Sequence, residues 1–275
     1  VVGASLTFML TPMLDDLGLT EDQAGTALAI PSIASLLIVF VVGRLGDRIG
    51  HRRVLLAASA PFIAGAILVA IAPGMAVVSI GLLLTGAAAT AMQIVALGLL
   101  QTSITEGRAR VSAFTSYGMV FPAVYLAVPV LTGWMVGVAP WRIVPAFWAI
   151  LGLGIPLVIL KLIGPQGITL PVGELWTPIL AGIALAGTVE TINGVNDGGW
   201  QSIETLCWAA VSVIAIGSCA LLLKSSRTTS LSLTPLRSPT MLLLLSGVAL
   251  VAMANTLTYV MLGLEYLYGL SVLGA

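Results

Sequence analysis

The chain has 275 residues, of which 59% are hydrophobic and only 8% are charged, and its eleven basic and eleven acidic side chains cancel. Soluble domains carry about a quarter charged residues. Together with a mean hydropathy of +1.11, this composition excludes an ordinary soluble domain and indicates a protein embedded in a lipid bilayer. No nucleic-acid partner is expected.

Apolar segments long enough to cross a bilayer recur along the whole chain, between short polar or Gly- and Pro-containing breaks. The predicted fold class is therefore all-α, a polytopic bundle of membrane helices. Because Val1 lies inside an apolar run, we expect a fragment of a longer protein and an incomplete first helix. The nine predicted helices cover residues 1–14, 24–43, 53–72, 76–100, 112–138, 142–163, 175–192, 203–223 and 241–263.

The basic side chains sort to one side of this predicted bundle, leaving only Arg142 on the other side. Cytoplasmic connections of membrane proteins carry an excess of Lys and Arg. We therefore predict a multi-pass protein of the cell (inner) membrane with the basic side in the cytoplasm. The residues on that side are Arg44, Arg48, Arg52, Arg53, Arg108, Arg110, Lys161, Lys224, Arg227 and Arg237.

The most specific motif lies between the second and third predicted helices, in the loop at residues 43–55, with the sequence G-R-L-G-D-R-I-G-H-R-R-V-L. Gly43 is expected to allow close helix packing, and Gly50 to permit a tight reversal. Asp47 supplies an anion for a helix N-terminus or an arginine. The alternative, a basic loop that only sets the topology, explains the arginines but not Asp47 or the glycines.

This segment resembles the G-x-L-x-D-R-x-G-R-R-x-x-L loop of the major facilitator superfamily of transporters, with His51 where a basic residue is usual. The resemblance implies that the segment is cytoplasmic and latches the two halves of the transporter together when it faces outward. The residues implied in this latch are Gly43, Leu45, Asp47, Arg48, Gly50 and Arg52.

Later segments resemble the fourteen-helix drug:proton antiporter-2 family within that superfamily. They are two extra apolar spans after the first six, the turn at 193–202, the linker at 231–240 and the tail at 263–271. The resemblance implies about nine helices present of an expected fourteen. It divides the chain into an N-terminal six-helix half (1–163), two extra linking helices (164–223), and a linker with the first helix of the C-terminal half (224–275).

Three departures from the family pattern bear on proton coupling. Leu82 stands four residues before Gly86, where proton-coupled members carry an arginine. No acid is present near residues 2 and 3, where the family has one in its first helix. The fifth-helix antiporter motif survives only in part, with Pro129 and Gly133 as its remnant. Coupling through the usual residues is therefore not predicted, and Glu190 and Glu265 are the acids closest to lipid depth.

A substrate site in such a fold lies near mid-membrane, so polar and aromatic side chains of the fourth and fifth helices are its candidates. Gln93 is the first choice, because an unpartnered amide in hydrocarbon is costly. Hydrogen bonding between helices, without substrate contact, is the alternative. The candidates are Thr90, Gln93, Ser116, Tyr117 and Tyr125.

The sequence contains no catalytic constellation, nucleotide motif or metal-ligand cluster, so we predict neither an enzyme nor a cofactor. The expected function is secondary active efflux of small amphiphilic solutes or drugs by alternating access, with proton coupling left open. The alternative is a transporter-like sensor or scaffold without solute flux. Expected partners are a small-molecule solute, the lipid bilayer and, if coupled, protons, in a monomeric protein.

Overall fold

The computed structural model of the chain describes residues 2–104, 106–162, 164, 175–225, 238, 239, 241–243 and 246. Helices are the only regular secondary structure in these ranges, which confirms the all-α prediction. Seven of the helices, α2 to α8, are long and apolar enough to cross a membrane. The helices are α1 (Val2–Leu17), α2 (Glu21–Ile49), α3 (His51–Ala70), α4 (Met75–Ser103), α5 (Gly107–Val138), α6 (Ile143–Leu162), α7 (Trp176–Gly198) and α8 (Ile203–Ser225).

Several helices extend beyond their predicted ends. The helix α2 continues from the predicted end at residue 43 to Ile49, and α7 continues from residue 192 to Gly198. Polar side chains at these ends can project into water, so the helix need not stop where the apolar run stops. The predicted ninth helix (241–263) lies almost entirely outside the described residues, as do the linker and the tail that carried part of the family resemblance.

The helix α4 lies between α3 and α2 and makes the most extensive contacts in the described bundle. Glycines bring the backbones together: a Cβ added to Gly65 of α3 would lie 2.6 Å from the carbonyl oxygen of Gly81 of α4. Similarly, a Cβ added to Gly86 would lie 2.6 Å from Cα of Pro31 in α2. Small residues therefore set the helix spacing, as expected for helices in lipid.

The helices α7 and α8 form an antiparallel pair, of which α7 packs against α2. Thr188 and Ser212 share a hydrogen bond of 2.7 Å between the two helices. Gly182 of α7 faces the carbonyl oxygens of Leu36 and Leu37, so a side chain at position 182 would strike the backbone of α2. This contact attaches the helix pair to the first six helices.

A cluster of polar contacts joins α1, the connection between α3 and α4, and the connection between α5 and α6. The Trp141 indole Nε1 donates a hydrogen bond of 3.0 Å to Asp16 Oδ2. Arg142 forms an ion pair with Asp16 and donates to the Ala72 carbonyl oxygen at 3.1 Å. Its guanidinium carbon lies 4.7 Å from the centre of the Trp141 ring. We call these four residues the outer clamp, because Arg142 is the basic residue predicted on the outer side.

The outer clamp predicts an acid-sensitive contribution to stability. Hydrogen bonds from Trp141 and then Arg142 hold the pKa of Asp16 below the ordinary aspartate value of 3.8. A lowered carboxyl pKa stabilises the fold above the ordinary value, and this contribution is lost as the pH falls through the lowered pKa. We expect the unfolding midpoint of the wild type to fall more steeply than that of Asp16→Asn between pH about 5 and about 3.

Thermal unfolding in detergent at several pH values measures this difference. The control is Asp15→Asn, which removes a neighbouring exposed carboxylate and should leave the wild-type slope unchanged. Because the clamp is exposed, the difference should be a few degrees at most. Parallel curves for the wild type and Asp16→Asn would contradict the role given to the clamp.

Candidate functional site

Residues 43–55 form two helix ends joined by a single residue, which corrects the prediction of a loop. The helix α2 runs through Arg44, Asp47 and Arg48 to Ile49, and α3 begins at His51. No proline interrupts the helix between Gly43 and Gly50. Gly50 has φ +93° and ψ 133°, a backbone conformation that residues other than glycine rarely adopt. The predicted role of Gly50 in the reversal is confirmed.

The close packing predicted at Gly43 is wrong for the part of the chain that the structure describes. A Cβ added there would meet nothing within 4 Å. The close contacts occur instead at Gly46 of α2 and Gly98 of α4, which both face the His51 ring. A Cβ on Gly46 would lie 3.0 Å from His51 Cδ2, and one on Gly98 would overlap the imidazole. We call this space the glycine slot.

The acid of the motif lies beside this slot. Asp47 Oδ1 is 3.7 Å from His51 Nε2, and the Asp47 side chain is 48% exposed whereas that of His51 is 14% exposed. Leu45 packs against the apolar core. Arg48 lies in the last turn of α2, where a cation complements the helix dipole. Arg52 is half-buried in the first turn of α3, so all six motif residues gather at one junction.

The five cavity candidates do not form one cluster in the described structure. Thr90 donates a hydrogen bond of 2.6 Å to Ser35 Oγ, and Ser35 donates to the Pro31 carbonyl oxygen at 2.7 Å. Thr90 thus joins α4 to α2, which is the alternative role considered for these candidates. Gln93 and Ser116 are exposed.

Tyr117 and Tyr125 share a depression of about 180 Å³ on α5. Its other lining residues, among them Phe121, come from the same helix. The rings of Tyr117 and Phe121 lie 6.4 Å apart, centre to centre. The structure therefore brings the two tyrosines together and directs Thr90 elsewhere, towards α2.

The remnant of the fifth-helix motif lies beside a second cavity. Gly133 is buried and Pro129 is half-buried in α5. Their neighbour Thr132 lines a cavity of about 400 Å³ between α5 and α6, with Phe147 and Trp148 on the opposite wall. This volume is in the range of small-molecule sites. Across the described ranges, no group of three or more His, Cys, Asp or Glu side chains is arranged to hold a metal ion.

A sequence model of the Major Facilitator Superfamily matches residues 1–275, the whole chain. The chain belongs to this superfamily. Two relatives from Mycobacterium tuberculosis, in strains CDC 1551 and H37Rv, are both described as uncharacterized MFS-type transporters. Each is 30% identical over 139 residues, which is 50% of this chain and 20% of the relative. The match thus covers about a fifth of the length of these curated relatives.

Membership of the major facilitator superfamily points to membrane transport rather than enzymatic catalysis, and its transporters bind small-molecule solutes within the membrane. In this member, sequence reasoning missed the glycine slot. Gly98 stands among many small residues of the fourth helix, and only its contact with His51 distinguishes it. His51 itself was visible as a departure from the family motif, but its neighbours were not.

The geometry of the junction predicts opposite outcomes for its two outer glycines. Gly50→Ala forces a side chain into a strained backbone conformation and should lower the free energy of unfolding by about 1–3 kcal/mol. Gly43→Ala adds a methyl group in open space within a helix and should be neutral or slightly stabilising. Unfolding of both variants in detergent, compared with the wild type, measures the difference. Equal effects at the two positions would contradict the described junction.

Proposed function

We propose that this chain is part of a secondary active transporter that exports small amphiphilic solutes or drugs by alternating access. The observation that carries the proposal is the junction of α2 and α3, where Asp47 lies one turn before Gly50 and its positive φ. The basic residues at the end of α2 and the start of α3 support a cytoplasmic position for this junction, in the inner membrane. Arg108 and Arg110 at the start of α5 support the same side.

The surface of the junction supports the role of a conformational latch. The Asp47 side chain is half-exposed, so its carboxylate can be reached by another part of the transporter. The space beside Gly43 is open, and a glycine in open space leaves room for a second helix to approach closely. The glycine would then serve contacts between the transporter halves rather than packing within the first half.

The distribution of polar groups supports an uncharged or amphiphilic solute. Gln93 is exposed in the middle part of α4, which carries no charged side chain. An amide facing hydrocarbon is costly, so Gln93 is best accommodated on a water-filled path or against a solute. Tyr117 and Tyr125 add an aromatic surface on α5. We assign these three residues to the solute path and place Thr90 behind them.

The α7–α8 pair supports assignment to the fourteen-helix drug:proton antiporter-2 family. Its helix α7 packs against α2 and carries α8 on its other side, an arrangement that suits two linking helices between transporter halves. The division at 1–163, 164–223 and 224–275 follows from that assignment. Glu190 is half-buried within the membrane span of α7 and accepts a hydrogen bond of 3.4 Å from Asn193. Glu190 is our candidate for proton coupling. We expect the protein to act as a monomer.

A second candidate function is sensing or scaffolding without solute flux. It is favoured by Leu82, which is completely buried at the position where the resemblance predicts the arginine of proton-coupled members. A buried leucine cannot carry or pair a charge. Under this candidate, the complete protein would move none of the amphiphilic solutes tested, and its junction variants would alter signalling or assembly instead.

Removing the charge of Asp47 tests the latch. In cells that express the complete protein, Asp47→Asn should reduce efflux of a fluorescent amphiphile by about tenfold, because the substitution removes the charge on which the latch contact depends. The control is Asp15→Asn, the same substitution at an exposed site, which should retain efflux. Immunoblots of the membrane fraction confirm equal amounts. Normal efflux by Asp47→Asn would contradict the latch.

Replacing Gln93 tests the solute path. Gln93→Leu should change the KM for a polar amphiphile severalfold, because it removes the amide and leaves a side chain of similar size. Gln101→Leu is the matched control, since Gln101 is also exposed on α4 but lies near its cytoplasmic end. Transport kinetics in proteoliposomes provide the measurement. An unchanged KM in Gln93→Leu, or the same change in both variants, would exclude Gln93 from the path.

A further inference from the structure

His51 is the single histidine of the chain and occupies the glycine slot where three helices meet. It is the first residue of α3. Its ring contacts the backbone of α2 at Gly46 and that of α4 at Gly98. Its Nε2 atom lies 3.7 Å from Asp47 Oδ1. The acid of the motif therefore lies beside a side chain whose charge can change.

The slot fixes the orientation of the ring. A methyl group on Gly98 would occupy the position of the imidazole, and one on Gly46 would lie at the limit of contact. With both sides closed by backbone, the ring is confined with Nε2 on the Asp47 side. A confined ring needs little ordering to form the pair, so the pair gains more from the interaction than two mobile surface charges would.

The charges around the ring are few and can be named. The helix α4 carries no charged or titratable side chain along its length. At this end of the bundle, α2 contributes Arg44, Asp47 and Arg48, and α3 contributes Arg52 and Arg53. Asp47 is therefore the one acid that the helices packed around the ring supply at this end. The neighbouring arginines keep their charge at any physiological pH, whereas an imidazole has both a neutral and a protonated form.

We propose that His51 is a positioning residue that holds the Asp47 carboxylate when protonated, and so makes the latch respond to cytoplasmic pH. This inference rests on the proposed latch function of Asp47. At 3.7 Å the contact is an ion pair rather than a hydrogen bond, so the imidazolium attracts the carboxylate through its charge and the neutral ring does not. An arginine at this position would be charged throughout and would remove the response.

Two substitutions separate the two states of the ring. His51→Arg mimics the protonated state at every pH, and His51→Asn mimics the neutral state. In the acidic range the wild type should behave like His51→Arg, and in the alkaline range like His51→Asn. The pair at a partly exposed site should change the measured rate by about two- to fivefold between these limits.

The first experiment measures the pair without transport. Unfolding midpoints of the complete protein in nanodiscs are compared for His51→Asn, Asp47→Asn and the double variant at pH about 6 and about 8. We expect the two effects to be non-additive at the lower pH and close to additive at the higher pH. In His51→Arg, the coupling to Asp47 should persist at both. Additive effects at both values, or equal coupling at both in the wild type, would overturn the inference.

Matched glycine variants test the slot itself. Gly98→Ala changes no charge but displaces the ring, so it should abolish the pH dependence of the coupling. Gly25→Ala, which adds the same methyl group in open space on α2, should preserve it. Unchanged coupling in Gly98→Ala would contradict the claim that the glycine slot holds the His51 ring beside Asp47. If Gly98→Ala fails to fold, the comparison of the wild type with His51→Arg decides the inference.

The second experiment measures transport rates in proteoliposomes while the pH on the cytoplasmic side alone is varied. As the pH rises, the transport rate of the wild type should change from that of His51→Arg to that of His51→Asn. Neither variant should show this transition. If the unfolding experiment shows the coupling but the protein moves no solute, the His51–Asp47 interaction is supported and the proposed transport function is refuted. Flux with the same pH profile in the wild type and His51→Arg would support transport and overturn the role of His51.

Discussion

Backbone contact along α4 is the constraint on which the rest of the described bundle depends. Lipid tails are as apolar as leucine, so membrane helices associate through close packing rather than through burial from water. Gly81, Gly86 and Gly98 place α4 against α3, α2 and the α2–α3 junction in turn. Because these three contacts span most of the helix, they fix the direction of α2 and α3, and with it the place where the charged junction leaves the membrane.

The two ends of this packed unit are closed in different ways. At one end, the outer clamp ties α1, the α3–α4 connection and the α5–α6 connection through Asp16, Trp141 and Arg142. At the other end, the glycine slot holds His51 beside Asp47. A unit fixed at both ends is suited to move as a body, which is what alternating access requires of a transporter half. The latch proposed above, with the half-exposed Asp47 and the open space at Gly43, belongs to the second of these two ends.

The sequence was sufficient for the class of fold, because apolar length and the side preference of basic residues are properties of whole segments. Finer features depended on individual contacts. The helical extension of α2 to Ile49 was not predicted, because the apolar run ends before the helix does. Thr90 and Gln93 lie on one helix of nearly uniform hydrophobicity, so no periodicity indicated that Thr90 faces α2 whereas Gln93 is exposed. The slot at Gly98 required knowledge of a neighbour from another helix, which one sequence does not contain.

Cysteine accessibility tests the central claim, that the α2–α3 junction opens and closes on the cytoplasmic side as solute is moved. In the complete protein with Cys207 and Cys219 replaced by serine, single cysteines are placed at Arg53, an exposed position beside the junction, and at Pro73, between α3 and α4. Membrane-impermeant maleimide then labels each position from its own side, with and without solute. We expect solute to change the labelling rates at the two positions in opposite directions. Rates that do not change, or that change together, would contradict it.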